Sequence, residues 1–208
     1  MSPETWIAFA VASIVMLLIP GPTVLLVVSY ALGHGRRAAL ASVLGVAMGD
    51  FVAMTASLLG LGVLLATSAT LFTVIKWIGA AYLVYLGIKL WRAPVSAGEV
   101  KADVRPVSAR RMTAHMFLVT VLNPKSIVFF VAFLPQFLDA SRPLLPQFAV
   151  MEATFLVLAA ANAFGYAMLA SGARGLIRKP AVQRAVNRTG GTLLIGAGVM
   201  TAAMRKAA

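Results

Sequence analysis

Two short stretches decide how this chain folds: Met16-Leu17-Leu18-Ile19-Pro20-Gly21-Pro22-Thr23-Val24 and Val121-Leu122-Asn123-Pro124-Lys125-Ser126-Ile127. Each puts proline inside an apolar run of membrane-spanning length. Proline removes a backbone donor and clashes with the preceding turn of a helix. Hydrocarbon offers no water to the groups so freed, and the break survives only where they face protein or a water-filled cavity.

The rest of the composition agrees with a bilayer as solvent. Of 208 residues, 61% are hydrophobic and 12% charged, and the mean hydropathy is +0.92. These values describe an all-α polytopic membrane protein and leave no length for a separate soluble domain. The net charge of +12 would suggest nucleic acid in a soluble protein. Here the basic residues gather between apolar segments, which argues against a nucleic-acid partner and for membrane topology. No cysteine is present, which excludes disulfides and thiolate chemistry. The first apolar stretch follows Glu4 with no lysine or arginine before it, and is expected to be retained as a helix rather than cleaved as a signal peptide.

Apolar runs read against their breakers predict six transmembrane helices, at 5–32, 38–65, 71–91, 113–138, 146–173 and 187–204. The polar segment 92–112, with Arg92, Pro94, Glu99, Lys101, Asp103, Arg105 and Pro106, is the one linker. It divides the chain into a first repeat, 1–91, and a second, 113–208, of three helices each. With the amino terminus outside, the inside loops collect Arg36, Arg37, Lys89, Arg92, Lys101, Arg105, Arg110, Arg111, Arg174, Arg178, Lys179, Arg184 and Arg188. The outside keeps Arg142, Arg205 and Lys206. This asymmetry favours both termini outside.

Three helices per half make the second half enter from the opposite side, so a repeat must be inverted. Gly79 and Gly87 match Gly190 and Gly198 at a shift of 111, and at nearly the same shift Asp50 falls on Asn162. The fold expected is two inverted three-helix repeats with broken helices 1 and 4, a pattern that points to a transport site near the midplane.

The candidate site residues cluster at that depth. Around Pro20-Gly21-Pro22, freed carbonyls suit an ammonium group, and unpaired amides at a helix amino end suit a carboxylate. Lys125 lies about 18 Å into its helix at 1.5 Å per residue, deep enough that a charged side chain is read as paired or lining a cavity. Asn123 and Pro124 stand beside it, and Asn123 offers both donor and acceptor. Asp50 sits at similar depth, after a small-residue stripe of Ala41, Gly45 and Gly49 that lets another helix approach closely and permits a homodimer. It is the candidate for proton coupling or ammonium binding, with Lys125 as its expected partner. Asn162 joins the substrate-binding group through the repeat, and Tyr82 as a cavity-lining candidate. Glu152 and Lys76 read as headgroup-level residues. His34 and His115 stand alone in the sequence, so no metal site is expected. No phosphate-binding loop, nucleophile elbow or metalloprotease pattern occurs, and neither an enzyme nor a cofactor is expected. The competing readings are an accessory or sensory membrane subunit and a small-ion exporter or channel.

Pro20-Gly21-Pro22, Gly35-Arg36-Arg37, Gly45 to Asp50, Lys76-Trp77-Ile78-Gly79-Ala80-Ala81-Tyr82-Leu83, Asn123-Pro124-Lys125 through Phe133-Leu134-Pro135-Gln136-Phe137, and Asn187-Arg188 with Leu194 to Gly198 together resemble the lysine exporter / homoserine-threonine exporter family. Thr23 stands where that family often carries asparagine. The resemblance implies a bacterial inner-membrane exporter of amino acids or close derivatives, driven by protons without nucleotide.

Overall fold

The computed structural model describes residues 1–19, 21–92, 106–139, 141–172 and 180–203. Pro20 and most of the predicted linker lie outside the described residues. Every regular element among those described is helical: α1 (Pro3–Leu18), α2 (Pro22–His34), α3 (Arg36–Thr67), α4 (Ala69–Trp91), α5 (Ala109–Val121), α6 (Pro124–Phe133) with a 3-10 turn at Leu134–Phe137, α7 (Leu144–Gly172) and α8 (Pro180–Ala203).

Each predicted span coincides with one helix or one bent pair. The two proline breaks divide the first and fourth segments: α1 meets α2 at 56° and α5 meets α6 at 45°. Ala38–Val63 of α3 and Leu144–Ala170 of α7 are long and apolar enough to cross a membrane, and each bent pair passes the same test as a unit. That makes up to four spans among the described residues, against the six expected. α4 and α8 have the length, 23 and 24 residues, but do not meet it there. α8 also begins at Pro180, ahead of the expected 187.

Local chemistry explains where the helices start and stop. Ser2 caps α1, its Oγ accepting from the Thr5 amide at 3.2 Å, and Pro3 fills the first helical position. Ser108 caps α5 in the same way through the Arg111 amide. A single residue, Gly35, turns α2 into α3 with φ +64°, a backbone conformation costly for any residue with a Cβ. Gln147 on α7 is buried and holds the preceding loop, accepting from the Asp139 amide and donating to the Asp139 and Pro143 carbonyls.

Two apolar cores run through the bundle. One is aromatic, built from Phe9, Phe129, Phe130, Phe133 and Phe155 with Met54, Leu58 and Met151. Phe130 meets Phe155 edge to face at 4.9 Å, and Phe129 stacks on Phe133 at 4.9 Å. The other is built of small and β-branched residues: Val24, Val27, Val28, Ala31, Ala38, Ala41, Val46, Ala163, Ala167 and Ala170, with Met112 and Met116. Leu40, Leu122, Leu145 and Val157 point outward, each more than 60% exposed, as lipid-facing side chains do.

The predicted stripe Ala41, Gly45, Gly49 is the seam where α3 lies on α5. A Cβ at Gly45 would stand 2.5 Å from both the Met116 Cβ and the Thr113 carbonyl oxygen, and one at Gly49 would stand 2.7 Å from the Thr120 Cβ. The Thr113 hydroxyl donates to the Ala41 carbonyl across the seam at 3.1 Å. α4 and α8 cross as closely, with Gly87 against Gly191 and the Arg188 guanidinium 5.5 Å over the Trp91 ring. Because the seam has no room for a methyl group, Gly45→Ala is expected to destabilise the protein by about 1–3 kcal/mol. Gly60→Ala, where a Cβ meets nothing within 4 Å, should change stability by less than about 0.5 kcal/mol. Thermal unfolding in detergent micelles compares the two, and equal midpoints would refute the seam.

Candidate functional site

The end of α1 poses a problem that its own sequence cannot solve. The last four carbonyls of any α-helix lack partners within the helix, and here proline prevents the chain from continuing. The Ile19 amide reaches the Met16 carbonyl at 3.3 Å, and side chains from the second half supply the other partners. The Lys125 ammonium donates to the Met16 carbonyl at 2.8 Å and to the Ile19 carbonyl. The Asn162 amide donates to the Leu17 carbonyl at 3.2 Å and the Tyr166 hydroxyl to the Leu18 carbonyl at 2.9 Å. All four carbonyls from Met16 to Ile19 are satisfied. Asn162 and Tyr166 lie one turn apart on α7, on a single face.

Lys125 reaches this position because α6 begins where α5 breaks. Asn123 caps α6, its Oδ1 accepting from the Lys125 amide at 3.1 Å, with Pro124 at the first helical position. The Asn123 Nδ2 then donates to the Thr23 hydroxyl at 3.2 Å, and Thr23 lies 3.4 Å from the Thr120 hydroxyl near the end of α5. The two breaks therefore cross: Lys125 serves the end of α1, while Thr23, in the first turn of α2, sits against the end of α5. Gly21 makes the crossing close enough, since a Cβ there would stand 3.4 Å from the Lys125 Cδ.

A cavity of about 30 Å³ lies where the two apolar cores meet, at the crossing, lined by Gly21, Thr23, Asp50, Asn123, Lys125 and Asn162 among others. This volume suits roughly one water molecule. Asp50 is buried, 3% exposed, and is carried to the cavity by α3 one residue beyond the Gly49 seam. It and Lys125 are each other's charged neighbours. No direct ion pair joins them among the described residues, where the ion pair formed is Arg142 with Asp139. Gly21 gives α2 no side-chain cap, and Thr23 and Val24, whose amides begin that helix, line the same cavity. Carbonyls of one helix end, amides of another, a carboxylate and an ammonium thus share one space.

Most of the predicted site assembles here, but not all. Gly21, Asp50, Asn123, Lys125 and Asn162 line the cavity. Pro22 and Pro124 start α2 and α6 and turn outward, acting on the backbone rather than on the cavity. Pro20 lies outside the described residues. Tyr82 is on α4 beside Tyr85, ring centroids 6.0 Å apart, away from the lining. Lys125 was expected to pair with Asp50, and instead its hydrogen bonds go to carbonyls. Glu152 is half-buried against α3, its carboxylate accepting from the Thr55 hydroxyl. The Lys76 side chain lies outside the described residues. His115 bonds the Tyr30 hydroxyl through Nδ1 at 2.8 Å, although it stands alone in the sequence. Among the described residues no cluster of side chains could hold a metal. Sequence reasoning noted Thr23 only as a departure from the family pattern, and missed Thr120, Ser126 and Tyr166. Of these only Tyr166 carried a signal, lying four residues after Asn162.

Residues 14–205 match the family described as LysE type translocator. The chain belongs to this family of membrane transporters. Over 204 residues it is 37% identical to an uncharacterized membrane protein of Vibrio cholerae, covering 97% of this chain and 98% of the relative. It is 34% identical to the homoserine/homoserine lactone efflux protein of Salmonella typhimurium over the whole of both chains. A leucine efflux protein of Salmonella typhimurium is 31% identical over 135 residues, 65% of this chain and 64% of that one. No solved structure matches.

The LysE-type site makes a graded prediction. Lys125→Met orphans the Ile19 carbonyl and removes two charge-assisted bonds, and is expected to cost about 3 kcal/mol or more. Tyr166→Phe orphans one carbonyl that meets a neutral donor, and should cost about 1 kcal/mol. Thermal unfolding of the purified variants gives the order, and equal losses would count against the capping role of Lys125.

Proposed function

We propose that this LysE-type chain is a secondary active exporter of amino acids or close derivatives across the bacterial inner membrane, coupled to protons. The observation that carries this reading is the convergence of two broken helices on one buried cavity holding Asp50 and Lys125. A zwitterion needs a negative and a positive partner a few ångströms apart in a site shielded from water. The cavity provides both, and the printed functions of the efflux relatives are of the same chemical class. In this reading Asp50 binds the ammonium group or carries the coupled proton. Lys125 and the amino end of α2 draw the carboxylate. Tyr82 and Pro124 take no direct part.

The transporter is read as six spans in two inverted repeats, 1–91 and 113–208, joined by 92–112, with both termini outside. Three features support this. The breaks are matched, with Pro22 and Pro124 at the first position of α2 and α6. The packing pairs α4 with α8, α3 with α5 and α6, and α7 with α1 and α2, as exchange of the two halves requires. Asp50 on α3 and Asn162 on α7 occupy the same cavity from matched positions. The basic loops supply the orientation.

The test is efflux from proteoliposomes loaded with candidate amino acids, chosen by screening which of them the expressed chain makes cells resist. Flux is expected to rise with an imposed pH gradient. Asp50→Asn, expressed at normal level, should abolish the gradient dependence and cut flux at least about tenfold, the loss of one charge-assisted contact. Undiminished flux in that variant would remove Asp50 from the mechanism.

A further inference from the structure

The carbonyls at the end of α1 are not all treated alike. Leu17 and Leu18 meet neutral donors, an amide and a phenol. Met16 and Ile19 converge on a single ammonium group. Two carbonyls aimed at one point, at the negative end of a helix and with the Asp50 carboxylate across the same small cavity, form a site for a cation that donates hydrogen bonds. Its present occupant belongs to the chain itself.

We propose that Met16 O and Ile19 O are the binding site for a primary ammonium group, that of the transported amino acid, and that the Lys125 ammonium occupies it until substrate displaces it. The inference rests on the amino-acid reading above and adds an exchange to it. An ε-ammonium and an α-ammonium both present three N–H donors and one positive charge, so one can replace the other at the carbonyls without a loss of pairing. Lys125 hangs on four flexible methylenes, and a Gly21 without a Cβ lies beside them, its Cβ position 3.7 Å from the Lys125 Nζ. On exchange the lysine head is free to meet the incoming carboxylate, and every charge keeps a partner. The volume agrees. At about 30 Å³ the cavity takes a water but no amino acid, so admitting one needs the lysine head to leave and the lining helices to move apart. While no substrate is bound, the lysine keeps the α1 end capped, so the broken helix is never exposed unsatisfied.

Two experiments decide it. In the intact protein in lipid bilayers, with 15N at lysine Nζ and 13C at methionine and isoleucine carbonyls, solid-state NMR should detect the Lys125 contact, identified by its absence in Lys125→Met. Saturation with a transported amino acid should abolish that contact, and its persistence would overturn the exchange. The second needs no transport. Purified Lys125→Ala should bind ethylammonium about tenfold or more tightly than the unaltered protein, since a charge-assisted site is vacated. It should not bind tetramethylammonium, which donates no hydrogen bond. If Lys125→Ala folds only when ethylammonium is present, that is the same result seen through stability. Folded Lys125→Ala that binds ethylammonium no better than the unaltered protein, or a misfolded one that the amine does not recover, overturns the site. Absence of any amino-acid flux would refute the exporter reading while leaving the ethylammonium measurement valid.

Discussion

The structure depends on what becomes of four carbonyl groups. α1 ends at Leu18 partway through a bent pair of membrane-spanning length, and an unsatisfied peptide group away from water costs several kcal/mol. A helix cannot stop there unless something else donates. Lys125, Asn162 and Tyr166 do so from α6 and α7, and this single requirement draws two elements of the second half against the first. The polar residues at the bundle centre are therefore structural before they are functional. Their burial is tolerated because each completes a hydrogen bond that the proline break left open, and the same completion fixes where Asp50 and the α2 amino end must lie.

Small residues make the arrangement sterically possible. Asp50 is buried because Gly45 and Gly49 bring α3 onto α5 with no α3 side chain between them, and the carboxylate follows one residue later. Gly21 lets the lysine stem pass the break. Gly87 and Gly191 hold α4 and α8 together at the same close range. In a bilayer, where apolar burial gives helices little reason to associate, such backbone contacts and the interhelical hydrogen bonds carry the association. The packing and the site thus rest on one set of positions.

Legibility in the sequence followed from the range of the interaction. Breaks, spans and the small-residue stripe are local patterns, and Pro22, Pro124, Gly45 and Gly49 act where the pattern placed them. Asp50 and Lys125 were marked by depth alone, because a charge in mid-span has few explanations. Their actual partners were not legible. Pairing opposite charges is the simplest guess from a sequence, but backbone carbonyls carry no letter, so the acceptor that Lys125 uses could not be read. Thr23 and Thr120 are ordinary membrane threonines until the crossing of the breaks brings them together. His115 looked solitary since Tyr30 is 85 residues away and tyrosine is no metal ligand. The number of spans is the remaining difference: α8 carries Gln183, Arg184, Asn187 and Arg188 in its first half, which leaves it a short apolar run.

The two apolar cores that meet at the cavity are built of different materials, and this bears on how each can move. In one stand Phe129, Phe130 and Phe155, large rings in edge and tilted contact. In the other stand valines and alanines of α2, α3 and α7 together with the glycine seam. Rings can leave a contact by rotating about their own side-chain bonds, with the backbone nearly still. A seam in which the glycine backbone of one helix lies directly on the other has little to rotate and parts only when whole helices separate. α3 carries one face of that seam and also Asp50, so any parting there moves the carboxylate relative to Lys125 and the end of α1. Rotation of the aromatic rings leaves that distance unchanged, so of the two packings the glycine seam is the one mechanically tied to the charge at the site.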